Sequence, residues 1–446
     1  MLSFTSRRVL AATCMLIPLH CGVALPAAAQ VSPPLPPATP GATNPGLGVP
    51  GATVPGPEGV DSSADHAEDN ASESDAPTPT RTAAPDTQSC PHALRPGDPI
   101  TTSEVLAPGQ TAPTPPPVTY QGSCGITAAL GYQVPQEQTA SSWLVFDLDT
   151  GEVVAQKDPH GRYRPASVIK VLLALVALRD LNYHAVIPVS ERAAGMEGSA
   201  VGIGTTGRYT TEDLLHGLLL ASGNDAAQAL AEALGGDAVA LRKVNDLAAQ
   251  IGATDTHVGS VTGLDAAGQM TSVTDLAKMY RYAWRNPAFA AIVNTEFWNL
   301  PGYDEYPGYE VWNDNGLFLN DPDGIGGKTG YTDDANHTFV GAMDRGGRRL
   351  AAVLLDTTID KGRPWEQAQK LLHAAYALPR GANVGNLDQQ PNKTESSAAP
   401  SPAPQPGDSP ESSSIAQRGA LIGTVVAGIV LAAAAVLALL SLRRRR

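Results

Sequence analysis

Apolar and polar residues are distributed in two different patterns between residues 141 and 380. SWLVFDLDTGEVVAQKD (142–158) has strand-like stretches on either side of a Asp149-Thr150-Gly151 turn and predicts a β-hairpin. HTFVGAMDRGGRRLAAVLLDT (337–357) predicts a second hairpin. Helical periodicity is found between them at 167–180, 211–221, 224–234, 238–251 and 273–285, and again from Pro364 onward. Strands at both ends with helices between them predict an α+β domain, with helices packed on an antiparallel β-sheet and an inserted helical subdomain.

The segments that flank this domain have a different composition. Residues 30–88 and 381–414 are rich in Pro, Ala, Ser and acidic residues and contain few large apolar side chains. Such segments cannot bury enough apolar surface to fold, so both are predicted to be disordered linkers. Residues 89–140 are predicted to form an N-terminal extension of the folded domain at 141–380.

Both ends of the chain carry targeting patterns. Residues 1–29 have a basic start, an apolar stretch and a small-residue cleavage site after Ala29, which predicts a secretory signal peptide. Residues 420–442 contain no charge over 23 residues, enough for a transmembrane helix, and the arginines at 443–446 follow. Because positive flanks stay in the cytoplasm, we expect a single-pass protein of the cell membrane with its folded domain on the extracytoplasmic face.

Export limits the chemistry of the cysteines. Two of the four cysteines lie in the signal peptide, which leaves Cys90 and Cys124 in an oxidising compartment. We expect them to form one disulfide that straps the extension. No histidine pattern typical of a zinc peptidase is found in the sequence, so no metal and no cofactor are expected. The net charge of −14 disfavours nucleic acid as a partner.

The first candidate for catalysis is RPASVIKVLLALVALRD (164–180). Ser167 and Lys170 are three residues apart and share one face of the predicted helix, which is otherwise apolar on all sides. A lysine in a buried helix loses solvation, so its pKa falls and its neutral amine can accept a proton from serine. A Ser-x-x-Lys match alone is expected about once by chance in a chain of this length.

Two further motifs each occur once in the chain. Ser222-Gly223-Asn224 interrupts a helical pattern, where a helix ends and another begins. Lys328-Thr329-Gly330 follows a glycine-rich stretch and is predicted to lie on an inner strand. Taken singly, the former could be only a helix N-cap and the latter a hairpin turn. Together with Ser-x-x-Lys, on a helix, a turn between helices and a strand, they predict one site.

The three motifs resemble those of the active-site serine penicillin-binding proteins and β-lactamases. The resemblance covers about residues 120–380 and is closest to the low-molecular-weight D-alanyl-D-alanine carboxypeptidases of actinobacterial type, whose middle motif is typically SGN. GLDAAGQMTSVTDLAKMYRYA (263–283) is also similar to that group, except that Met270 stands where the family has a histidine. The resemblance implies removal of the terminal D-alanine from peptidoglycan stem peptides, with β-lactam antibiotics as inhibitors.

The resemblance also implies a role for each motif residue. Ser167 is expected to attack the peptide carbonyl while Lys170 accepts its proton, and Ser222 to relay that proton to the departing D-alanine. Asn224 is expected to bind the backbone amide of the substrate.

The third motif is expected to bind the other end of the substrate. Lys328 and Thr329 would bind its terminal carboxylate, and Gly330 would let its backbone approach the strand. The backbone N–H groups of Ser167 and Tyr331 would form the oxyanion hole.

Other functions are compatible with part of this pattern. A serine β-lactamase of class A uses a glutamate after the middle motif for deacylation, but no glutamate occurs between Glu232 and Glu296. A penicillin-binding sensor would need a cytoplasmic output beyond four arginines, and a silent scaffold would not need Lys170 or Lys328. A transpeptidase stays open, because sequence does not display whether water or an amine accepts the acyl group.

Overall fold

The computed structural model describes residues 80–389. The predicted signal peptide, transmembrane helix and tail lie outside the described residues, as do most of the two predicted linkers. The strands are β1 Ile126–Ala128, β2 Ser142–Asp147, β3 Glu152–Lys157, β4 Val186–Ile187, β5 Tyr209–Thr210, β6 Phe297–Leu300, β7 Tyr309–Trp312, β8 Gly324–Thr332, β9 Asn336–Arg345, β10 Arg348–Thr357 and β11 Gly385–Asn386. The helices are α1 Lys170–Asp180, α2 Glu191–Ala194, α3 Thr211–Leu220, α4 Asn224–Ala233, α5 Asp237–Ile251, α6 Val273–Ala283, α7 Pro287–Val293, α8 Gly316–Asn320 and α9 Pro364–Tyr376, with a 3-10 turn at Ala166–Ile169.

The main sheet is antiparallel throughout, in the order β1-β3-β2-β10-β9-β8, with β11 also paired to β3. β2 and β3 form the first predicted hairpin, and β9 and β10 form the second. All the long helices up to α6 lie in the sequence between these hairpins. The predicted antiparallel sheet with an inserted helical region is therefore confirmed.

The central strands are buried on both faces. In β2, Leu144 and Phe146 belong to the core shared with the helical region, whereas Trp143 and Val145 belong to a second core beneath α9. Successive side chains of a strand point to opposite faces, so each face of β2 contributes to a different core. This is why the strand is an almost continuous apolar run.

The helix starts follow local capping chemistry. Thr210 and Asp213 form a reciprocal capping box at the start of α3, and the Ser272 side chain accepts from the backbone N–H of Asp275 at the start of α6. α9 begins at Pro364, whose fixed φ suits the first helical position. The five interior helices predicted from periodicity agree with the structure to within three residues at each end, although Ser167 lies in the 3-10 turn before α1.

The prediction that the Lys-Thr-Gly motif lies on an inner strand is wrong. The motif is in β8, which is an edge strand with β9 on one side only. The other side of β8 faces the 3-10 turn, where a position for Cβ on Gly330 lies 2.8 Å from the backbone N of Ser167. At Gly330 this edge of β8 therefore lies against the 3-10 turn, and no further strand pairs with β8 among residues 80–389.

Contacts with the folded domain are also found before the predicted boundaries at 88 and 140. Arg81 forms an ion pair with Asp356 at 2.8 Å, and the Lys157 ammonium donates to the Pro85 carbonyl at 2.6 Å. β1 is already a strand of the main sheet, although it precedes residue 141. Polar contacts, backbone pairing and the burial of Ala129 and Tyr132 in the core beneath α9 hold these segments, and none of these leaves a regular hydrophobic period in the sequence.

Contacts with the folded domain also continue beyond the predicted boundary at 380. β11 pairs with β3, and Asp388 forms an ion pair with Arg281 at 2.7 Å. The folded unit thus includes residues from both predicted linkers. Among residues 80–389, no helix is long and apolar enough to span a bilayer.

Candidate active site

Ser167 is held in place by two distant elements. The Thr338 hydroxyl on β9 donates to the Pro165 carbonyl at 2.8 Å, and the Tyr280 hydroxyl on α6 donates to the Val168 carbonyl at 2.9 Å. Both bonds flank Ser167 and are buried. The hydroxyl of Ser167 is therefore presented by a turn that the sheet and the helical region fix together.

Lys170 is completely buried and makes four polar contacts through its amine. Its Nζ lies 2.8 Å from Ser167 Oγ, 2.7 Å from the Ser222 carbonyl oxygen, 3.2 Å from Ser222 Oγ and 2.7 Å from Asn224 Oδ1. The structure thus brings the Ser-x-x-Lys and Ser-x-Asn motifs to one amine, although 52 residues separate Lys170 from Ser222.

The contacts of Lys170 suit a neutral amine. A carbonyl oxygen and an amide oxygen can only accept, so they take both N–H donors of an –NH₂ group. In the neutral form the lone pair can accept the hydroxyl proton of Ser167, whereas in the ammonium form the third N–H donates to Ser167 Oγ. Burial holds the pKa of Lys170 well below its usual value, and the charge of Lys328 lowers this pKa further. The lowered pKa of Lys170 therefore favours proton acceptance from Ser167.

The turn between α3 and α4 presents Ser222 and Asn224. Ser222 has a φ of 61°, a left-handed conformation that non-glycine residues seldom adopt. The Asn224 amide nitrogen donates to the Glu197 carbonyl at 2.7 Å, which directs its oxygen at Lys170. Asn224 thus orients the lysine, a contact that sequence analysis did not predict, and its expected contact with substrate stays a prediction.

Lys328 and Thr329 lie side by side on β8. Lys328 is completely buried, and its Nζ donates to the Thr329 carbonyl at 3.0 Å and contacts Thr329 Oγ1 at 3.3 Å. The Thr329 hydroxyl donates to the carboxylate of Asp314 at 2.7 Å. Burial lowers the pKa of Lys328, and the charge of Asp314 opposes this shift. A cation and a hydroxyl are therefore adjacent where the resemblance places the substrate carboxylate.

Gly330 allows β8 to pass close to the catalytic turn. A Cβ at this position would lie 2.8 Å from the Ser167 backbone N and would also clash with Thr338 Oγ1. Tyr331 is the next residue on the same edge strand; its hydroxyl donates to Asp333 at 3.0 Å and its ring packs against His337 at 4.7 Å. The backbone roles expected of Ser167 and Tyr331 remain predictions.

Comparisons with known proteins identify the family. The model of the peptidase S11 family, D-alanyl-D-alanine carboxypeptidase, matches residues 130–358, about half of the chain. The chain is 42% identical over 252 residues to D-alanyl-D-alanine carboxypeptidase DacB2 of Mycobacterium tuberculosis, a match that covers 56% of this chain and 86% of the relative. It is 32% identical to D-alanyl-D-alanine carboxypeptidase DacD of Escherichia coli, over 56% of this chain and 68% of the relative. The chain belongs to the D-alanyl-D-alanine carboxypeptidase family.

Solved structures agree with this membership. A crystal structure of a D-alanyl-D-alanine carboxypeptidase from Mycobacterium tuberculosis matches with a TM-score of 0.56 and 40% identity, over 58% of this chain and 99% of that chain. The Streptomyces K15 DD-transpeptidase matches with a TM-score of 0.52 and 26% identity, over 55% of this chain and all of the other. The protein is thus a serine-type carboxypeptidase, as the three motifs predicted.

Two features of the carboxypeptidase site were missed from the sequence. Asp314 lies in the loop before α8 and contacts the Lys-Thr-Gly motif. Its only sequence signal is a run of three polar residues, Asn-Asp-Asn, between Val311-Trp312 and Gly316-Leu317. Gly263 has a φ of 84°, and a Cβ there would lie 3.0 Å from Ser167 Cα, so the loop of the GLD stretch rests directly on the catalytic turn.

Met270 of the carboxypeptidase is buried, and its backbone pairs with that of His257 in both directions at 3.0 Å. A thioether replaces the titratable imidazole that the family resemblance led us to expect here. Among the described part of the chain, no cluster of His, Cys, Asp and Glu has the arrangement of a metal site.

The N-terminal extension of the carboxypeptidase reaches the edge of the active site. The structure joins Cys90 to Cys124, with their Cα atoms 5.3 Å apart. Glu104 forms an ion pair at 2.5 Å with Arg164, three residues before the catalytic serine. The carboxylate of Asp334, in the turn after β8, accepts from the backbone N–H groups of residues 100 and 101 at 2.6 and 2.9 Å. The extension is therefore attached to segments adjoining two of the three motifs.

A further attachment of the extension is through Arg162. This side chain is completely buried and donates to the carbonyls of Leu94, Pro116 and Pro117 at 3.0, 2.6 and 2.9 Å. A buried guanidinium needs acceptors for its donors, and the Pro-rich segment supplies them from its backbone. This explains how a segment with few apolar side chains is held on the domain.

Proposed function

We propose that the protein removes the terminal D-alanine from peptidoglycan stem peptides through an acyl-enzyme on Ser167. The observation that carries this is the 2.8 Å separation of Ser167 Oγ and Lys170 Nζ, in a site where two acceptor oxygens already bind the amine. A serine hydroxyl is a weak nucleophile without an adjacent base. The D-Ala–D-Ala carboxypeptidase activity of the family supplies the reaction for which such a pair is suited.

In the acylation step, Ser167 Oγ forms a bond to the carbonyl carbon of the scissile peptide and its proton moves to Lys170. The tetrahedral oxyanion accepts hydrogen bonds from the backbone N–H groups of Ser167 and Tyr331. The C–N bond then breaks, and the amine of D-alanine takes up the proton by way of Ser222. The 3.2 Å contact between Lys170 Nζ and Ser222 Oγ supports this route.

Substrate orientation is assigned to β8. Lys328 binds the terminal carboxylate as the cation, and the Thr329 hydroxyl donates to the substrate carboxylate in place of Asp314. Asn224 binds a backbone amide of the substrate, and Gly330 lets the peptide backbone approach the edge strand. The position of β8 at the edge of the sheet supports this, because an edge strand with no second partner strand among residues 80–389 can bind an extended peptide beside the 3-10 turn. β-Lactams carry a similar carboxylate and amide, so they acylate Ser167.

In deacylation, water attacks the ester carbonyl, Ser167 recovers its proton and the shortened peptide leaves. A transpeptidase would use an amine as acceptor instead. The similarity to the Streptomyces K15 DD-transpeptidase makes this the second candidate function. The two differ only in the acceptor, so one assay can compare them.

The location of the folded domain is a separate proposal. We propose that the folded domain lies outside the cell, anchored by the uncharged stretch 420–442 with the arginines at 443–446 in the cytoplasm. The Cys90–Cys124 disulfide supports export, because such bonds persist in oxidising compartments. Protease treatment of intact cells tests this orientation. We expect the folded domain to be degraded and a tag at the C-terminus to be protected.

The decisive experiment uses the full chain and a pentapeptide that ends in D-Ala-D-Ala. Free D-alanine and the tetrapeptide are measured, with and without a glycine-peptide amine as acceptor. We expect D-alanine and tetrapeptide in equal amounts, and neither product from Ser167→Ala. A folded wild-type protein that releases no D-alanine overturns the proposal. Amide product in excess of tetrapeptide would instead establish the transpeptidase.

A further inference from the structure

A carboxylate lies against the Lys-Thr-Gly motif without having been assigned a role. Asp314 accepts from the Thr329 hydroxyl at 2.7 Å, and the same oxygen lies 3.8 Å from Lys328 Nζ. Its backbone N donates to the Leu220 carbonyl at 2.9 Å, just before the turn that carries Ser222. Asp314 is therefore tied to both the strand and the interhelical turn of the active site.

The other oxygen of Asp314 is also inside the protein. Its Oδ1 is buried and has no hydrogen-bond partner among residues 80–389. A buried carboxylate oxygen without a donor is costly unless a nearby cation compensates it. The cation in contact with Asp314 is Lys328, which is itself completely buried.

The site contains two buried amines that repel each other. Lys170 and Lys328 are both fully enclosed, and a base and a carboxylate-binding cation need opposite protonation states. The charged groups that act on them are Asp314 and Asp225, while Tyr280 is the other titratable group close to Asp314. The Asp225 carboxylate already has hydrogen-bond donors, because it accepts from the backbone N–H groups of residues 201, 202 and 203.

We propose that Asp314 is a positioning residue that keeps the proton on Lys328 rather than on Lys170 and orients Thr329. This inference rests on the proposed function, because it assigns the two lysines their roles in that reaction. Asp314 contacts Lys328 and Thr329 directly, whereas it acts on Lys170 only from a distance. Its negative charge therefore stabilises the ammonium of Lys328 more than that of Lys170.

The pKa values of the two lysines are shifted in the directions that the inference requires. Burial lowers the pKa of both, and the charge of Asp314 raises both again. For Lys328, Asp314 is the main compensating group, by charge and by hydrogen bond. For Lys170, the repulsion from Lys328 is larger than the attraction of Asp314. A charged Lys328 beside Asp314 thus favours a neutral Lys170.

The test is the pH profile of kcat/KM for D-alanine release by the full-length Asp314→Asn enzyme. Activity rises with pH as Lys170 loses its proton and falls as Lys328 loses its own, so each limb reports one lysine. Removing the negative charge lowers both pKa values, and we expect both limbs to move to lower pH. The alkaline limb should move by at least about one pH unit, since the charge lies close to Lys328.

Two further variants make the result specific. Asp314→Glu keeps the charge and should hold the alkaline limb near the wild-type position. Asp323→Asn removes a charge that is paired with Arg345 at 2.7 Å and should leave both limbs unchanged. If Asp314→Asn does not fold, as judged by circular dichroism, Asp314→Ser is used as the neutral variant.

The outcomes separate this inference from the proposed function. A wild-type enzyme without D-alanine release would overturn both. With an active wild type, a neutral variant that loses activity uniformly and keeps both limbs in place would show a merely structural role and overturn the inference alone. If Asp323→Asn shifts the limbs as much as Asp314→Asn does, the inference is also overturned, because the shifts would then reflect the net charge of the protein rather than the contact of Asp314 with Lys328.

Discussion

Replacement of Lys170 is the most direct probe of the proposed acylation chemistry. Lys170→Arg keeps a donor-rich cation at the position, but a guanidinium stays protonated at any relevant pH. Because the proposed base is the neutral amine, the arginine side chain should keep a cation in the site but should not accept the proton of Ser167. Lys170→Ala removes the amine altogether.

The expected magnitude follows from the contacts of the amine. General-base assistance contributes on the order of 10²–10⁴ in rate, so acylation should slow by about that factor in both variants. In Lys170→Ala, the Ser222 carbonyl and Asn224 Oδ1 also lose a donor at 2.7 Å each. Each buried acceptor left unpaired costs about 1–3 kcal/mol, offset in part because a buried amine has been removed. Lys170→Ala should therefore be less stable as well as inactive.

The assay is the second-order rate of labelling by a fluorescent penicillin, measured on a denaturing gel. Ser167→Ala, which has no nucleophile, sets the background, and circular dichroism establishes that each variant is folded. The wild-type rate should rise with pH, because burial and Lys328 lower the pKa of Lys170 and the amine is the reactive form only above that pKa. Acylation of Lys170→Arg at close to the wild-type rate would refute the reasoning and place the base elsewhere.

Two predictions concern stability. The disulfide closes a loop with a sequence separation of 34, so replacing Cys90 and Cys124 by serine should lower the free energy of unfolding by about 4 kcal/mol; equal denaturant midpoints for the two proteins would contradict this. Burial raises the pKa of Asp265 from 3.8 to about 6, so the folded protein holds this proton more tightly than the unfolded chain. The resulting contribution to the free energy of unfolding is lost as the pH rises through 6. Asp265→Asn should therefore stabilise the protein by about 1–2 kcal/mol at pH 7.5, after allowing for partial exposure, and by nothing measurable below pH 4. The exposed Asp246→Asn is the control, and the same gain at both pH values would rule out titration as the cause.

The local sequence is enough to predict the helices, the hairpins and the motif residues. Periodicity and capping depend on residues three or four apart, as at the start of α3, where Thr210 and Asp213 satisfy each other. The spacing of Ser167 and Lys170 is equally local. The three motifs together therefore predicted the family, which the comparisons confirmed. The burial of Lys170 could also be expected, because its helix is apolar on every side.

Tertiary structure decided where those pieces meet. Whether β8 is an inner or an edge strand depends on what lies on its far side, and that is a turn from a segment more than 150 residues earlier. Arg81 joins the folded unit through Asp356, 275 residues away, and Asp314 becomes part of the site through Thr329 on a different element. Such polar contacts join residues that are far apart in the sequence, so they leave no periodic hydrophobic pattern. The periodic pattern of a segment records which of its faces is buried, whereas its partner is chosen only when the whole chain packs.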